Sequence, residues 1–97
     1  MTEKLVPFDV SRYLGSTEAI AEYLSQVLAD GDTEELIVAL GHVARAKGMT
    51  QVAKEAGLGR ESLYKALSPG GSPKFDTVLR VARAVGVTFA AAPTAGR

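Results

Sequence analysis

The chain has 97 residues, 46% of them hydrophobic and 6% aromatic, with no cysteine and no tryptophan; this allows one domain with one modest core and excludes a disulfide framework or a Cys-ligated metal centre. The formal net charge of +0 conceals a division, because Met1–Leu40 carries two bases against eight acids while Gly41–Arg97 carries nine bases against three acids. Such halves suit different partners, a basic protein at the front and a polyanion at the back, or they are simply two solvated surfaces.

A core that must rest on Ala, Val, Leu and Ile favours packed helices. The expected fold is all-α: a compact five-helix bundle forming a single domain over 1–92, with 93–97 as a mobile tail. Met1–Asp9 lacks the apolar run of a signal peptide, and no segment reaches the length of a membrane span. The expectation is a cytoplasmic protein with no membrane partner. After Pro7 a short helical turn can begin at Asp9 and hold Tyr13 and Leu14. The first main helix starts at Gly15-Ser16-Thr17-Glu18, with Ser16 or Thr17 as its N-cap. Ile20, Tyr23, Leu24, Val27 and Leu28 then form one apolar stripe. Asp30-Gly31-Asp32 stops this helix and caps the next, whose stripe is Leu36, Ile37, Leu40, Val43 and Ala44. That helix ends at Lys47-Gly48, a cation in the last turn followed by glycine.

Thr50 is the expected cap of a short third helix, Gln51–Ala56, ended by Gly57. A fourth helix runs from about Arg60 to Leu67, followed by the loop Ser68-Pro69-Gly70-Gly71-Ser72-Pro73. The fifth carries Phe75, Val78, Leu79, Ala82 and Val85 at helical spacing and stops at Gly86. Val87-Thr88-Phe89-Ala90 has the composition of a short terminal strand. The expected core comprises Ile20, Leu24, Leu40, Val43, Val52, Ala53, Leu58, Leu63, Leu67, Val78, Leu79 and Val85.

Two short helices joined by a tight glycine-containing turn meet the physical requirement of a helix-turn-helix, here centred on residues 49–68. Ala53 precedes Gly57 by four residues; a large side chain there would hold the helices apart, and Gly57 can take the positive φ of the turn. Val52, Ala56, Leu58, Leu63 and either Ala66 or Leu67 supply the apolar faces between them. Any small αα-corner can share this spacing. With Leu63 and Leu67 inward, the fourth helix presents Glu61, Lys65 and Ser68 outward, with Tyr64 on the flank and Arg60 at the N-terminal tip beside Ser62. In a major groove such a tip lies nearest the base edges. Arg60 can then bond guanine O6 and N7, and Glu61 can accept from cytosine N4. Tyr64 and Lys65 can reach phosphate or a thymine methyl. The plain structural alternatives are an i, i+4 pair between Glu61 and Lys65 and a half-buried Tyr64. Thr50 and Gln51, at a helix N-terminus, suit phosphate, as do Ser72 and Lys74 in the loop at the other edge, with a merely solvated lysine as the equal alternative for Lys74.

The run Gly48-Met49-Thr50-Gln51-Val52-Ala53-Lys54-Glu55-Ala56-Gly57-Leu58-Gly59-Arg60-Glu61-Ser62-Leu63-Tyr64-Lys65-Ala66-Leu67-Ser68 resembles the signature of the HigA-like addiction module antidote proteins. These are prokaryotic antitoxins related to phage-repressor and Xre-type regulators. Phe8-Asp9-Val10, Tyr13-Leu14, Ala19-Ile20-Ala21-Glu22-Tyr23-Leu24 and Phe75-Asp76-Thr77-Val78-Leu79 are similar to that family too, so the resemblance covers about residues 8–90. One departure is Gly59, where Ser or Thr is frequent; a side-chain cap and one phosphate contact are lost there, at a cost of a few tenths of a kcal/mol. The resemblance implies a type II antitoxin that neutralises a RelE/HigB-like RNA-cleaving toxin and represses its own promoter. The implied partners are double-stranded promoter DNA, the toxin and, following the habit of the motif, a second copy in a homodimer.

Three other classes compete. A stand-alone phage-repressor-like regulator without a toxin would share every DNA-facing residue named above. A module that keeps the corner only to bind protein is disfavoured by the presence of Arg60 and Lys65. An enzyme is disfavoured because His42 is the lone histidine, no nucleophile–base constellation is visible, and Gly70-Gly71 lies in a Pro-flanked loop rather than after a strand. No cofactor or metal is expected.

Overall fold

A computed structural model describes residues 15–94. The expected turn at Asp9–Leu14 and residues 95–97 of the tail lie outside them. The regular structure of the described residues is all helical, in five helices: α1 (Thr17–Asp30), α2 (Thr33–Lys47), α3 (Met49–Ala56), α4 (Arg60–Ala66) and α5 (Phe75–Ala84).

Local chemistry sets the helix starts. Ser16, rather than Thr17, caps α1: its Oγ accepts from the Ala19 amide at 3.1 Å. At α2 the cap is reciprocal, a capping box. The Glu35 amide donates to Asp32 Oδ1 at 2.9 Å, and the Asp32 amide donates to Glu35 Oε1 at 3.2 Å. Thr50 does not cap α3. The helix begins one residue earlier at Met49, Gly48 takes the N-cap position without a side-chain bond, and Thr50 is exposed in the first turn. The physical reason is that Met49 is buried; drawing it into the core carries the helical conformation back to Gly48.

α2 is the central element and packs against α1, α3 and α5, while α3 also packs against α4 and α5. Ile20, Leu24, Leu40, Val43, Val52, Leu63, Leu67, Val81 and Val85 are the largest fully buried side chains. Among the described residues no polar or charged side chain is buried, so the interior's hydrogen bonds are left to the backbone, which the helices pair. Leu58 and Leu79, expected in the core, are only half-buried. Val81 replaces Leu79 because α5 packs on α2 and α3 together and turns its Val78–Val81–Val85 face inward. Phe75, on the expected stripe, is 72% exposed. Helical side chains lean toward the helix N-terminus, so the first residue of α5 leans past the end of the core. Leu28, the last of the α1 stripe, is likewise half-exposed.

Arg80 ties α5 to α3. Its Nε pairs with Asp76 Oδ2 at 2.9 Å and its Nη1 donates to the Ala56 carbonyl at 3.4 Å, one of the free carbonyls at the end of α3.

The terminal strand does not form. Among the described residues no segment is a strand, and Val87–Ala90 has no extended neighbour to pair with. Instead the Val87 amide closes on the Ala82 carbonyl at 2.9 Å. Val87 is buried and Phe89 half-buried, in a segment that lies along Ala21, Leu24, Ser25 and Leu28 of α1. The beginning and end of the helical array meet here: a Cβ on Gly86 would stand 2.7 Å from Thr17 Cγ2.

Candidate functional site

The α3–α4 corner follows from two small residues. Ala53 is 3% exposed, between the helices. Gly57 ends α3 in the left-handed region at φ 72°, where a Cβ would be strained. The Gly57 amide bonds the Lys54 carbonyl at 3.2 Å and the Leu58 amide bonds the Ala53 carbonyl at 2.9 Å, closing the turn. The inner faces are Val52, Ala53 and Ala56 of α3 against Leu63 of α4 and the following Leu67, with Leu58 half-buried beside them. Of the two residues open for the last inward position, Leu67 is buried and Ala66 half-buried. Gly59 occupies the N-cap of α4 and makes no side-chain cap, as its lack of a side chain requires.

With that side inward, α4 turns Arg60, Glu61, Ser62 and Lys65 to solvent and leaves Tyr64 half-buried. Ser68, expected to face outward with them, is half-buried, and its Oγ donates to the Tyr64 carbonyl at 2.6 Å. Glu61 and Lys65 do not form an ion pair; among the described residues Asp76–Arg80 is the pair seen. Thr50 and Gln51 are exposed on the first turn of α3, where Gln51 Nε2 donates to Glu55 Oε2 at 2.6 Å. Lys74 is exposed at the N-cap of α5, beyond the loop that leaves α4, and Ser72 is exposed in that loop. The residues singled out from the sequence therefore fall into one cluster on α4, a pair on α3 and one lysine across the loop.

One participant escaped the sequence reading. Arg45, in the last turn of α2, sets its guanidinium carbon 5.7 Å from the centre of the Tyr64 ring. Arg60 sets its own 5.2 Å from the same centre, and its Nη2 donates to Tyr64 Oη at 3.5 Å. Both distances are within cation–π range. The only signal available in the sequence was a cation four residues after Gly41, a spacing that says nothing of a partner on another helix.

Two grooves lie elsewhere. Between α1 and α2, a groove of about 440 Å³ has Tyr23, Val27, Val38 and Ala39 along it and the exposed acids Asp30, Glu34 and Glu35 on its edges. Burial pushes the Tyr23 phenol up. A second groove, about 580 Å³, is lined by Leu28, Phe75, Leu79, Val87 and Phe89 among others. His42 is exposed on α2 at the side of the acidic groove. Among the described residues no group of three or more His, Asp or Glu side chains could hold a metal ion, and no helix is long and apolar enough to cross a membrane.

Comparison with known proteins adds the family. Residues 4–93 match the family described as "Probable addiction module antidote protein". Over 89 residues the chain is 47% identical to a protein of Haemophilus influenzae named only "Uncharacterized protein", with 92% of each chain covered. No solved structure matches it. With nearly its whole length matched, the chain belongs to the addiction module antidote family, a family of antitoxins.

Proposed function

We propose that this protein is the antitoxin of a type II toxin–antitoxin pair, that it neutralises a RelE/HigB-like RNA-cleaving toxin, and that as a homodimer it represses its own promoter. The family implies a toxin partner in general. The observation that carries the DNA part is the α3–α4 corner, whose inner side is fully apolar and whose outer side holds Arg60, Glu61, Ser62 and Lys65 in solvent. In the helix-turn-helix arrangement α4 lies in the major groove, with Arg60 and Glu61 nearest the base edges, Tyr64 and Lys65 along the groove wall, and Thr50, Gln51 and Lys74 against phosphates on either side. A dimer places two copies of α4 in successive grooves, with half-site centres roughly 34–36 Å apart. The acids beside the α1–α2 groove supply a field that attracts a basic toxin.

The test is a titration of promoter and scrambled duplex DNA at several salt concentrations, with and without any basic protein found to be encoded beside this chain. Wild type prefers its promoter and co-purifies with that neighbour. Arg60→Ala loses about 1–3 kcal/mol on the promoter and relaxes preference at one base pair per half-site. Lys74→Ala weakens all sequences alike and makes the salt slope shallower by about one. Absence of promoter preference, alone or with the neighbour, defeats the repressor reading. Promoter preference without a partner protein would instead favour a stand-alone regulator.

A further inference from the structure

Arg45 is hard to account for as a helix-capping cation. A cation in the last turn of a helix is ordinarily favourable because it faces the free carbonyls there. The Arg45 side chain runs the other way: its Nη1 lies 3.0 Å from where a Cβ on Gly41 would stand, one turn back toward the N-terminus. From there its guanidinium reaches across to the Tyr64 ring on α4. Gly41 makes this crossing feasible, since a Cβ at that position would meet the Leu67 carbonyl oxygen at 2.8 Å. Without a side chain at 41, α2 approaches the end of α4 closely enough for an arginine on one helix to lie against a tyrosine on the other.

The result is an unusual concentration of charge. Two exposed guanidiniums, Arg45 and Arg60, address one half-buried ring, and among the described residues neither forms an ion pair with a carboxylate. The two guanidinium carbons stand 5.7 and 5.2 Å from one ring centre, so an anion that approaches this ring meets two cations. A guanidinium is also a planar fork whose donors match phosphate oxygens two at a time. The cluster includes the α4 tip and extends the cationic surface of that helix onto α2.

From this geometry we infer that Arg45 is a further DNA-contacting residue, gripping a backbone phosphate next to the bases that α4 reads, with Tyr64 as the strut that aims both arginines. The inference rests on the DNA reading proposed above. It divides the labour within the cluster: Arg60 carries sequence preference, and Arg45 carries affinity common to all sequences.

The experiment compares wild type, Arg45→Gln, Tyr64→Phe and Tyr64→Leu on promoter and scrambled duplexes across a salt series, with toxin binding measured in parallel. Arg45→Gln keeps much of the side-chain stem at an exposed position, and a thermal melt equal to wild type establishes that it folds. It is expected to weaken both duplexes by the same factor and to make the plot of log affinity against log salt shallower by about one. Tyr64→Phe keeps the ring and therefore the salt slope of wild type, losing affinity only through the hydroxyl that Arg60 bonds, whereas Tyr64→Leu reproduces the Arg45→Gln change in slope and adds a loss of sequence preference. The inference is overturned if Arg45→Gln leaves affinity and slope unchanged, or if it lowers promoter preference alone, which would make Arg45 a base contact. It is also overturned if the variant weakens the toxin complex and not the DNA complex, which would assign this surface to protein. If wild type itself shows no promoter preference, it is the DNA reading that has failed, and this inference falls with it.

Discussion

The outer side of α4 and the outer edge of α5 are built on the same interior and end up with opposite surfaces. On α4 the residues left outside are Arg60, Glu61, Ser62 and Lys65. On α5 they include Phe75, which is 72% exposed and shares a groove with Leu28, Leu79 and Phe89. Both helices satisfy the core, α4 through Leu63 and α5 through Val78, Val81 and Val85. What a helix buries therefore does not determine what it shows. Exposed charge is well solvated and costs the fold little, whereas apolar surface left in water forgoes about 25 cal/mol per Å² that burial would gain. The corner advertises charge and hydrogen-bond donors, and the α5 edge advertises area.

Three substitutions separate what these regions share from what distinguishes them. The largest effect is expected at their common support. Leu40 of α2 is fully buried, and Leu40→Ala should cost about 2–5 kcal/mol in denaturant unfolding, undermining both surfaces at once. The next touches the corner alone. Ala53→Leu adds bulk where α3 meets α4 and should cost roughly 1–3 kcal/mol while shifting α4 outward; a neutral outcome would show that Ala53 does not set the helix spacing. The smallest is at the α5 edge. Phe75→Ser should change stability by no more than about 0.5 kcal/mol, and a thermal melt displaced much further would mean that Phe75 packs more tightly than its exposure indicates.

The elements that local chemistry governs were legible in the sequence, and those that depend on distant partners were not. Asp30-Gly31-Asp32 announces the end of one helix and the cap of the next, and Asp32 caps α2, with Glu35 completing the box. Ala53 and Gly57 announce a tight corner, and both stand where their sizes require. Thr50 misled because it is a good cap in isolation, and the burial of Met49 one residue earlier outweighs it. The α5 stripe misled because Phe75, Val78 and Leu79 fit the helical period, but the period does not say how far the helix rotates to meet two neighbours. Val87–Ala90 has strand composition but no strand partner among the described residues, and a lone extended segment cannot satisfy its own ladder. Within the candidate site, the α4 residues could be named from the periodicity of one helix. The contact of Arg45 with Tyr64 could not, because it depends on how closely α2 passes the end of α4, which Gly41 permits.

The meeting of Thr17 with Gly86 bears on how the chain could be rewired. The first and last turns of the helical array are neighbours, so the order in which the helices are strung together is a matter of where the chain is cut. Linking the segment after Gly86 to the segment before Thr17 and opening the chain between Gly70 and Gly71, in the loop after α4, leaves the five described helices intact. Such a circular permutant keeps the core and the α3–α4 corner while α5 becomes the leading helix. The new termini lie near Lys74 and beside Asp32 and Glu34 at the start of α2, so that a fused reporter or tether sits at the far edge of the corner.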